Sequence, residues 1–207
     1  GQAVLTDNND IRIYTDGKEK FHALIEEMKR AKKYIHVQYY IIRNDEVWQD
    51  IEKVLIKKAH EGVEVRVLVD SMGCRTMHKR DWDRLKCEGI RVAEFFPAIL
   101  GQLQMRVNYR NHRKIVVIDG KVGFVGGFNV GREYIGKDEK FGYWRDTHLC
   151  IEGAAVTSHA VRFVLDWNYA AHEDLFLEDH LFEIPQYDRH GFDPVQIISS
   201  GPDSQTK

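Results

Sequence analysis

The sequence predicts an α/β domain in which a mixed, largely parallel β-sheet is sandwiched between helices. Three observations predict it. Between residues 17 and 95 stretches with helical spacing of apolar residues alternate with short β-branched runs, and this β-α-β-α-β order places parallel strands side by side under helices. Asp119-Gly120 lies between two apolar runs, a hairpin signal that adds antiparallel strands. The 207 residues, 43% hydrophobic and 30% charged, suit one globular unit with a core of its own.

Residues 17–33 carry Phe21, Leu24, Ile25 and Met28 at helical spacing, with Asp16 placed to cap the first turn. Residues 34–42, YIHVQYYII, are β-branched and aromatic and too few for a core helix, so they read as a buried strand. A second helix over 46–61 places Val47, Ile51, Val54 and Leu55 on one face and ends at Gly62. VEVRVLVD at 63–70 alternates strictly, as a strand does. A third helix over 78–88 closes at Gly89, and IRVAEF at 90–95 returns as a strand. Residues 96–110 form a long, partly apolar loop, and loops of that length in compact domains are often functional.

Strands at 113–118 and 122–125 flank Asp119-Gly120, and another covers 144–151. A helix over 153–172 offers Val156, Ala160, Val161, Phe163, Val164 and Trp167 to the core. Residues 172–193 hold seven acids against one arginine, net −6, and read as a solvated linker. PVQIISSGPDS at 194–204 reads as one strand followed by a Gly-Pro turn.

Composition excludes several classes. A formal net charge of −2 gives no global electrostatic grip on nucleic acid, although a local one depends on distribution. No apolar run approaches the roughly 20 residues of a membrane helix. Residues 1–10 lack both the basic and the apolar region of a signal peptide. Cys74, Cys87 and Cys150 form no CxxC pair and fit buried thiols in a reducing compartment.

One segment carries chemistry. In Asn111-His112-Arg113-Lys114 an imidazole and an ammonium share one side of the chain if the following strand extends back to residue 112. Asp119 sits in the hairpin turn, and the return strand delivers Asn129 toward His112. Gly126 and Gly127 remove side chains there, which allows close backbone approach by a ligand. Neutral imidazole can attack phosphorus, while Lys114 and Asn129 can hold phosphate oxygens. Residues 101–121 add Arg106, Arg110, Arg113, Lys114 and Lys121 against Asp119, net +4, a local field that focuses an anion. A lone His before an apolar strand is ordinarily only a strand-end histidine, and Asp-Gly only a turn; what lifts this segment is the fixed spacing of His, Lys, Asp, two glycines and Asn.

HRKIVVIDGKVGFVGGFN resembles the HxKx4Dx6GGxN signature of the phospholipase D superfamily, the HKD motif. The flanks VNYRNHRK, NVGREYIG, YWRDTHLCIEGAAV and FVLDW narrow the resemblance to bacterial cardiolipin synthases, over most of 34–170. The resemblance implies a phospholipase D-like α/β/α domain, with His112 as nucleophile forming a phosphohistidine and Lys114 and Asn129 holding phosphate oxygens. Asp119 matches the motif Asp, and its turn position points to a structural role in the hairpin. An acidic residue that orients the nucleophile is implied as well: Asp146 is the first candidate and Glu133 the second. His148 is either near the site or, the preferred reading, a strand histidine hydrogen-bonded in the interior. Gly127 stands where many superfamily members have Ser, which leaves more of the phosphate binding to backbone amides.

Of the ten histidines only His112 has Lys two residues on, so the chain holds one half-site. The implied partner is a second HKD half, in cis or in a homodimer. Residues 1–192 are then one catalytic half-domain, and 193–207 a linker with the first strand of a second half. The implied reaction joins two molecules of an anionic phospholipid, phosphatidylglycerol, into cardiolipin and releases glycerol. No metal or other cofactor is implied, and the sequence shows no HExxH, Cys/His cluster or EF-hand loop. The implied setting is the bacterial cell membrane, with the catalytic domain peripheral to the bilayer and this chain itself soluble. FFPAIL at 95–100 and LFLEDHLF at 175–182 are apolar segments that either dip into the interface or pack on the protein. The competing expectation is a homodimeric single-motif phosphodiesterase or nuclease; the near-neutral charge argues against nucleic acid as partner.

Overall fold

A computed structural model describes residues 4–95, 111–181 and 191–198. Its elements in chain order are β1 (Leu5–Asp16), α1 (Gly17–Arg30), β2 (Tyr34–Tyr39), α2 (Glu46–His60), β3 (Glu64–Asp70), α3 (Lys79–Cys87), β4 (Arg91–Phe95), β5 (Ile115–Ile118), β6 (Val122–Gly126), β7 (Arg145–Gly153), α4 (Val156–Ala171) and β8 (Asp193–Gln196). Short 3-10 turns cover Arg132–Ile135, Leu175–Leu177 and Asp179–Leu181. The strands form one eight-stranded sheet in the order β4-β3-β2-β5-β6-β7-β1-β8.

The mixed α/β class is as expected, but the sheet is not largely parallel. Only β2–β3 and β3–β4 run parallel. The pairings from β2–β5 across to β1–β8 are antiparallel. The physical reason is connection length: crossovers through α2 and α3 return the chain in the same direction, whereas the two-residue Asp119-Gly120 turn can only reverse it. β1 was not expected at all. LTDNNDIRIYTD reads locally as turn chemistry, yet it lies between β7 and β8. Buried Asn9 locks it there: its amide donates to Asp193 O at 3.0 Å and its Oδ1 accepts from Ala155 N at 2.8 Å, joining β1, β8 and the start of α4.

Alternation divides the core in two. Ile35, Val37 and Tyr39, with Val65, Val67 and Val69, face α1, α2 and α3. Tyr34, Leu68, Ile115 and Val117 face α4 through Phe163, Val164 and Trp167. The helix starts follow the sequence signals: Asp16 Oδ1 accepts from Lys18 N at 2.8 Å and Glu19 N at 3.2 Å, and Asp45 Oδ1 from Val47 N at 3.0 Å. The first layer also buries Lys20, whose Nζ donates to Tyr39 Oη at 2.7 Å; desolvation pushes its pKa well below that of an exposed lysine.

Residues 175–181 are not a solvated linker. Leu175 and Leu181 are buried against α4, and Glu178 pairs with the fully buried Arg66 at 3.0 Å. Of the segment 175–182, Phe176 and Leu177 are exposed. The apolar stretch 96–100 and Arg106 and Arg110 lie outside the described residues. All three cysteines are free; Cys74 and Cys150 are buried and Cys87 is exposed. Among the described residues no helix is long and apolar enough to cross a membrane.

Candidate active site

The site forms at the carboxyl ends of β2 and β3, where the neighbouring antiparallel β5 begins. Binding sites in α/β sheets favour this edge, because loops leaving the strand ends converge there. β5 starts at Ile115, so His112 and Lys114 precede the strand instead of standing on it. They are nonetheless adjacent. Lys114 Nζ lies 3.2 Å from His112 Nδ1 and donates to His112 O at 2.7 Å. The imidazole is exposed on one side and packs on the other against Tyr40, with ring centroids 4.0 Å apart.

Three effects act on the His112 pKa. Burial lowers it, the Lys114 charge lowers it further, and the Asp70 carboxylate works against both. The net result is a ring held below its ordinary value and neutral at pH 7. Burial also lowers the Lys114 pKa, while Asp146 favours its ammonium form.

Asn129 follows β6 and is buried. Its Oδ1 accepts from Ile41 N at 3.0 Å, which fixes the orientation of the amide, and its Nδ2 donates to Tyr134 Oη at 3.2 Å. The carboxamide is therefore anchored to Ile41, the residue after the Tyr40 on whose ring His112 packs, and among the described residues one of its N–H groups makes no hydrogen bond.

Asp146 is the second residue of β7. Its Oδ1 accepts from Thr147 N at 2.7 Å, and its carboxylate fills the space above the Gly127 Cα. Among the described residues it makes no hydrogen bond to His112. Gly127 does not serve as the sequence suggested. Its N–H is spent on Thr147 O at 2.9 Å and its open side is covered by Asp146, so in this arrangement it offers a phosphate neither a donor nor a gap. Gly126 is likewise covered, by Thr147 O and the His148 ring.

Asp119 stands at the other end of β5 from His112. Its carboxylate accepts from Lys32 N and Lys33 N at 2.7 Å and from Tyr34 N at 2.9 Å, tying the hairpin to the start of β2. Glu133 is paired with Arg43 Nε at 3.0 Å. His148 is fully buried as expected, but among the described residues neither ring nitrogen has a hydrogen-bond partner; desolvation and the charges of Lys20 and Lys114 hold its pKa well below 6.5.

Sequence reasoning missed Tyr40, Tyr134, Asp70 and Asp166. Asp70 had a signal, an acid closing a parallel strand at its carboxyl end. Asp166, inside a helix, had none. Among the described residues one trio has metal-type ligand atoms within 4.8 Å of one another, Glu64, Glu178 and His180. It lies at the start of β3, opposite the end that carries Asp70, and the Arg66 guanidinium pairs with both of its carboxylates.

The family model described as "Cardiolipin synthase, PLD-like domain" matches residues 24–159. The chain belongs to this family. Cardiolipin synthase 2 of Staphylococcus epidermidis is 51% identical over 202 residues, which is 97% of this chain and 41% of that protein. The chain thus spans less than half the length of this curated relative. The phosphatidylserine synthase of Haemophilus influenzae shares the fold with a TM-score of 0.61 at 16% identity, over 96% of this chain and 49% of that one. Nuc from Salmonella typhimurium, a phospholipase D family member, gives a TM-score of 0.57 at 17% identity over 78% of this chain and 96% of that one. Within this phospholipase D-like family, residues 112–129 hold the HxKx4Dx6GGxN spacing complete, and the model match spans it.

Proposed function

We propose that the chain supplies one of two half-sites of a phosphatidyltransferase that joins two phosphatidylglycerol molecules into cardiolipin. The observation that carries this reading is the pairing of a neutral, partly exposed His112 with Lys114 at 3.2 Å; the Asn129 carboxamide, fixed on Ile41 N, supports it. A Lys114 ammonium can only donate, so at rest Nδ1 accepts and the ring proton sits on Nε2. When a phosphodiester enters, Lys114 turns to its oxygens, as does the unused N–H of Asn129. Nδ1 is then free to carry the proton, and Nε2 can attack.

In the first step an Nε2–P bond forms and the P–O bond to glycerol breaks. Glycerol leaves with a proton from an acid of the second half-site. In the second step a hydroxyl oxygen of another phosphatidylglycerol attacks phosphorus, the N–P bond breaks, and the hydroxyl proton returns to that same group. Fixed donors aimed at the developing phosphate charge contribute on the order of 2.7–4 kcal/mol each in sites of this kind. Asp146, close enough to Lys114 to favour its ammonium, and Asp70, whose charge reaches His112, are the acids that tune the pair. Asp119 belongs to the scaffold.

The proposed partners are phosphatidylglycerol at a bacterial membrane surface and a second HxK half, in cis or in a twin chain. The single HxK in this sequence and the 41% coverage of the relative support the half-site reading. Residues 193–207 are proposed to lead from this half toward the second, with β8 first completing the present sheet against β1.

The test is incubation with mixed micelles containing phosphatidylglycerol, with and without a second HxK half supplied in trans. The expected result is an acid-labile phosphoryl adduct that His112→Ala abolishes. No adduct under either condition overturns the reading.

A further inference from the structure

His112 lies outside the sheet ladder, so strand pairing does not hold it, and a nucleophile displaced by about 1 Å can lose on the order of 100-fold in rate. Something else must fix it. Asp166, on α4 and 3% exposed, receives donors from three directions. Its Oδ2 accepts from Asn111 Nδ2 at 2.9 Å, from Arg113 Nη1 at 3.2 Å and from Gln38 Nε2 at 2.8 Å, while its Oδ1 accepts from Arg162 Nη2 at 2.5 Å. Asn111 Oδ1 in turn accepts from Arg113 N at 3.3 Å.

Asn111 and Arg113 are the two chain neighbours of His112. Gln38 is two residues before Tyr40, whose ring packs on the imidazole. One carboxylate on the α4 side of the sheet therefore grips both chain neighbours of the nucleophile and the strand that leads into its aromatic wall. Residues 111 and 113 turn toward it, and residues 112 and 114 meet each other at the site.

We propose that Asp166 is the positioning residue for His112, acting through Asn111 and Arg113 and setting the imidazole against Tyr40. The proposal deepens the transferase reading and rests on it for its kinetic arm. A second arm is independent of turnover: NMR of the His112 imidazole, whose shift reports the Tyr40 ring current and whose titration reports its surroundings.

The experiment compares Asp166→Ala, Asn111→Asp and the exchanged pair Asp166→Asn with Asn111→Asp, in the protein joined to its second half. Asn111→Asp keeps the acceptor for Arg113 N but sets two carboxylates against each other. In the exchanged pair the carboxamide at 166 donates to the carboxylate at 111 and to Gln38 Oε1, which has no partner among the described residues. Each single variant is expected to lower kcat about 100-fold with KM changed less than about threefold. The His112 resonance should move away from its ring-shifted position, and the exchanged pair should recover at least tenfold in kcat together with that resonance.

A purely structural Asp166 would lower the melting temperature while leaving kcat and the His112 resonance of the folded protein as in the native chain; that result overturns the proposal. If Asp166→Ala does not fold, Asn111→Asp decides on the same two readouts. A native protein without transferase activity would fail the reading of function, and the imidazole measurements would still test Asp166.

Discussion

The Asp146 carboxylate occupies the volume that a Cβ on Gly127 would need: all three nearest atoms to such a carbon belong to the Asp146 side chain. The second glycine of the motif thus leaves room for the Asp146 carboxylate, whose charge favours the Lys114 ammonium, and is not a vacancy for substrate. Gly127→Ala must rotate Asp146 away. Its loss of activity is expected to match that of Asp146→Ala, on the order of tenfold for each, and the double variant should be no worse than either single. Additive losses would show that the two residues act separately.

If the neutral His112 ring attacks as proposed, the acid limb of kcat/KM should lie below pH 6.5, because burial and Lys114 lower its pKa. Among the described residues Asp70 is the group that raises it. Asp70→Asn is therefore expected to move the limb further toward acid, together with the His112 titration seen by NMR. A limb that stays in place, or moves toward neutral pH, means that Asp70 does not act on His112 through charge.

Asn129→Asp tests the carboxamide without changing its shape. The Oδ1 bond to Ile41 N survives, and Tyr134 Oη can reverse from acceptor to donor. Stability should change by less than about 1 kcal/mol, while activity falls at least 100-fold because the phosphate meets an anion in place of an N–H. Denaturant melts and steady-state rates read the two effects apart.

Asp119→Ala should do the reverse. It removes the acceptor for three backbone N–H groups at the entry to β2, a loss of about 2–4 kcal/mol. The folded fraction should keep its His112 titration, since Asp119 is at the far end of β5. A His112 shift in this variant would place Asp119 in the site after all.

Buried histidines predict how acid unfolds the protein. His36, His148 and His159 are all desolvated with depressed pKa values, His159 down to about 4. Above pH 6.5 they are neutral in both states and cost nothing. Below 6.5 the unfolded chain takes up protons that the folded chain refuses, so stability falls as pH drops from 6.5 toward each folded value. His159 alone accounts for about 3 kcal/mol by pH 4. His159→Phe should flatten the slope of unfolding free energy against pH in that window by about 1.4 kcal/mol per unit. An unchanged slope would mean that His159 is protonated in the folded state.

The amino-acid sequence by itself determined whatever is written within one element or one motif. Apolar spacing placed the four helices, Asp16 started α1, and Asp119-Gly120 closed the β5–β6 hairpin. The HxKx4Dx6GGxN spacing singled out His112, Lys114 and Asn129, and the structure sets Lys114 Nζ 3.2 Å from His112 Nδ1 and ties Asn129 to Ile41. Tertiary structure decided what depends on partners far along the chain. β1 is a strand only because β7 and β8 flank a stretch whose own residues favour turns. Residues 175–181 pack because α4 and Arg66 receive them. Asp166 meets Gln38 across 128 residues and Asn111 across 55, and no local pattern in FVLDW announces either bond. Periodicity and turn chemistry act over a few residues, whereas the strand order and the partner of a buried carboxylate follow from the collapse of the whole sheet.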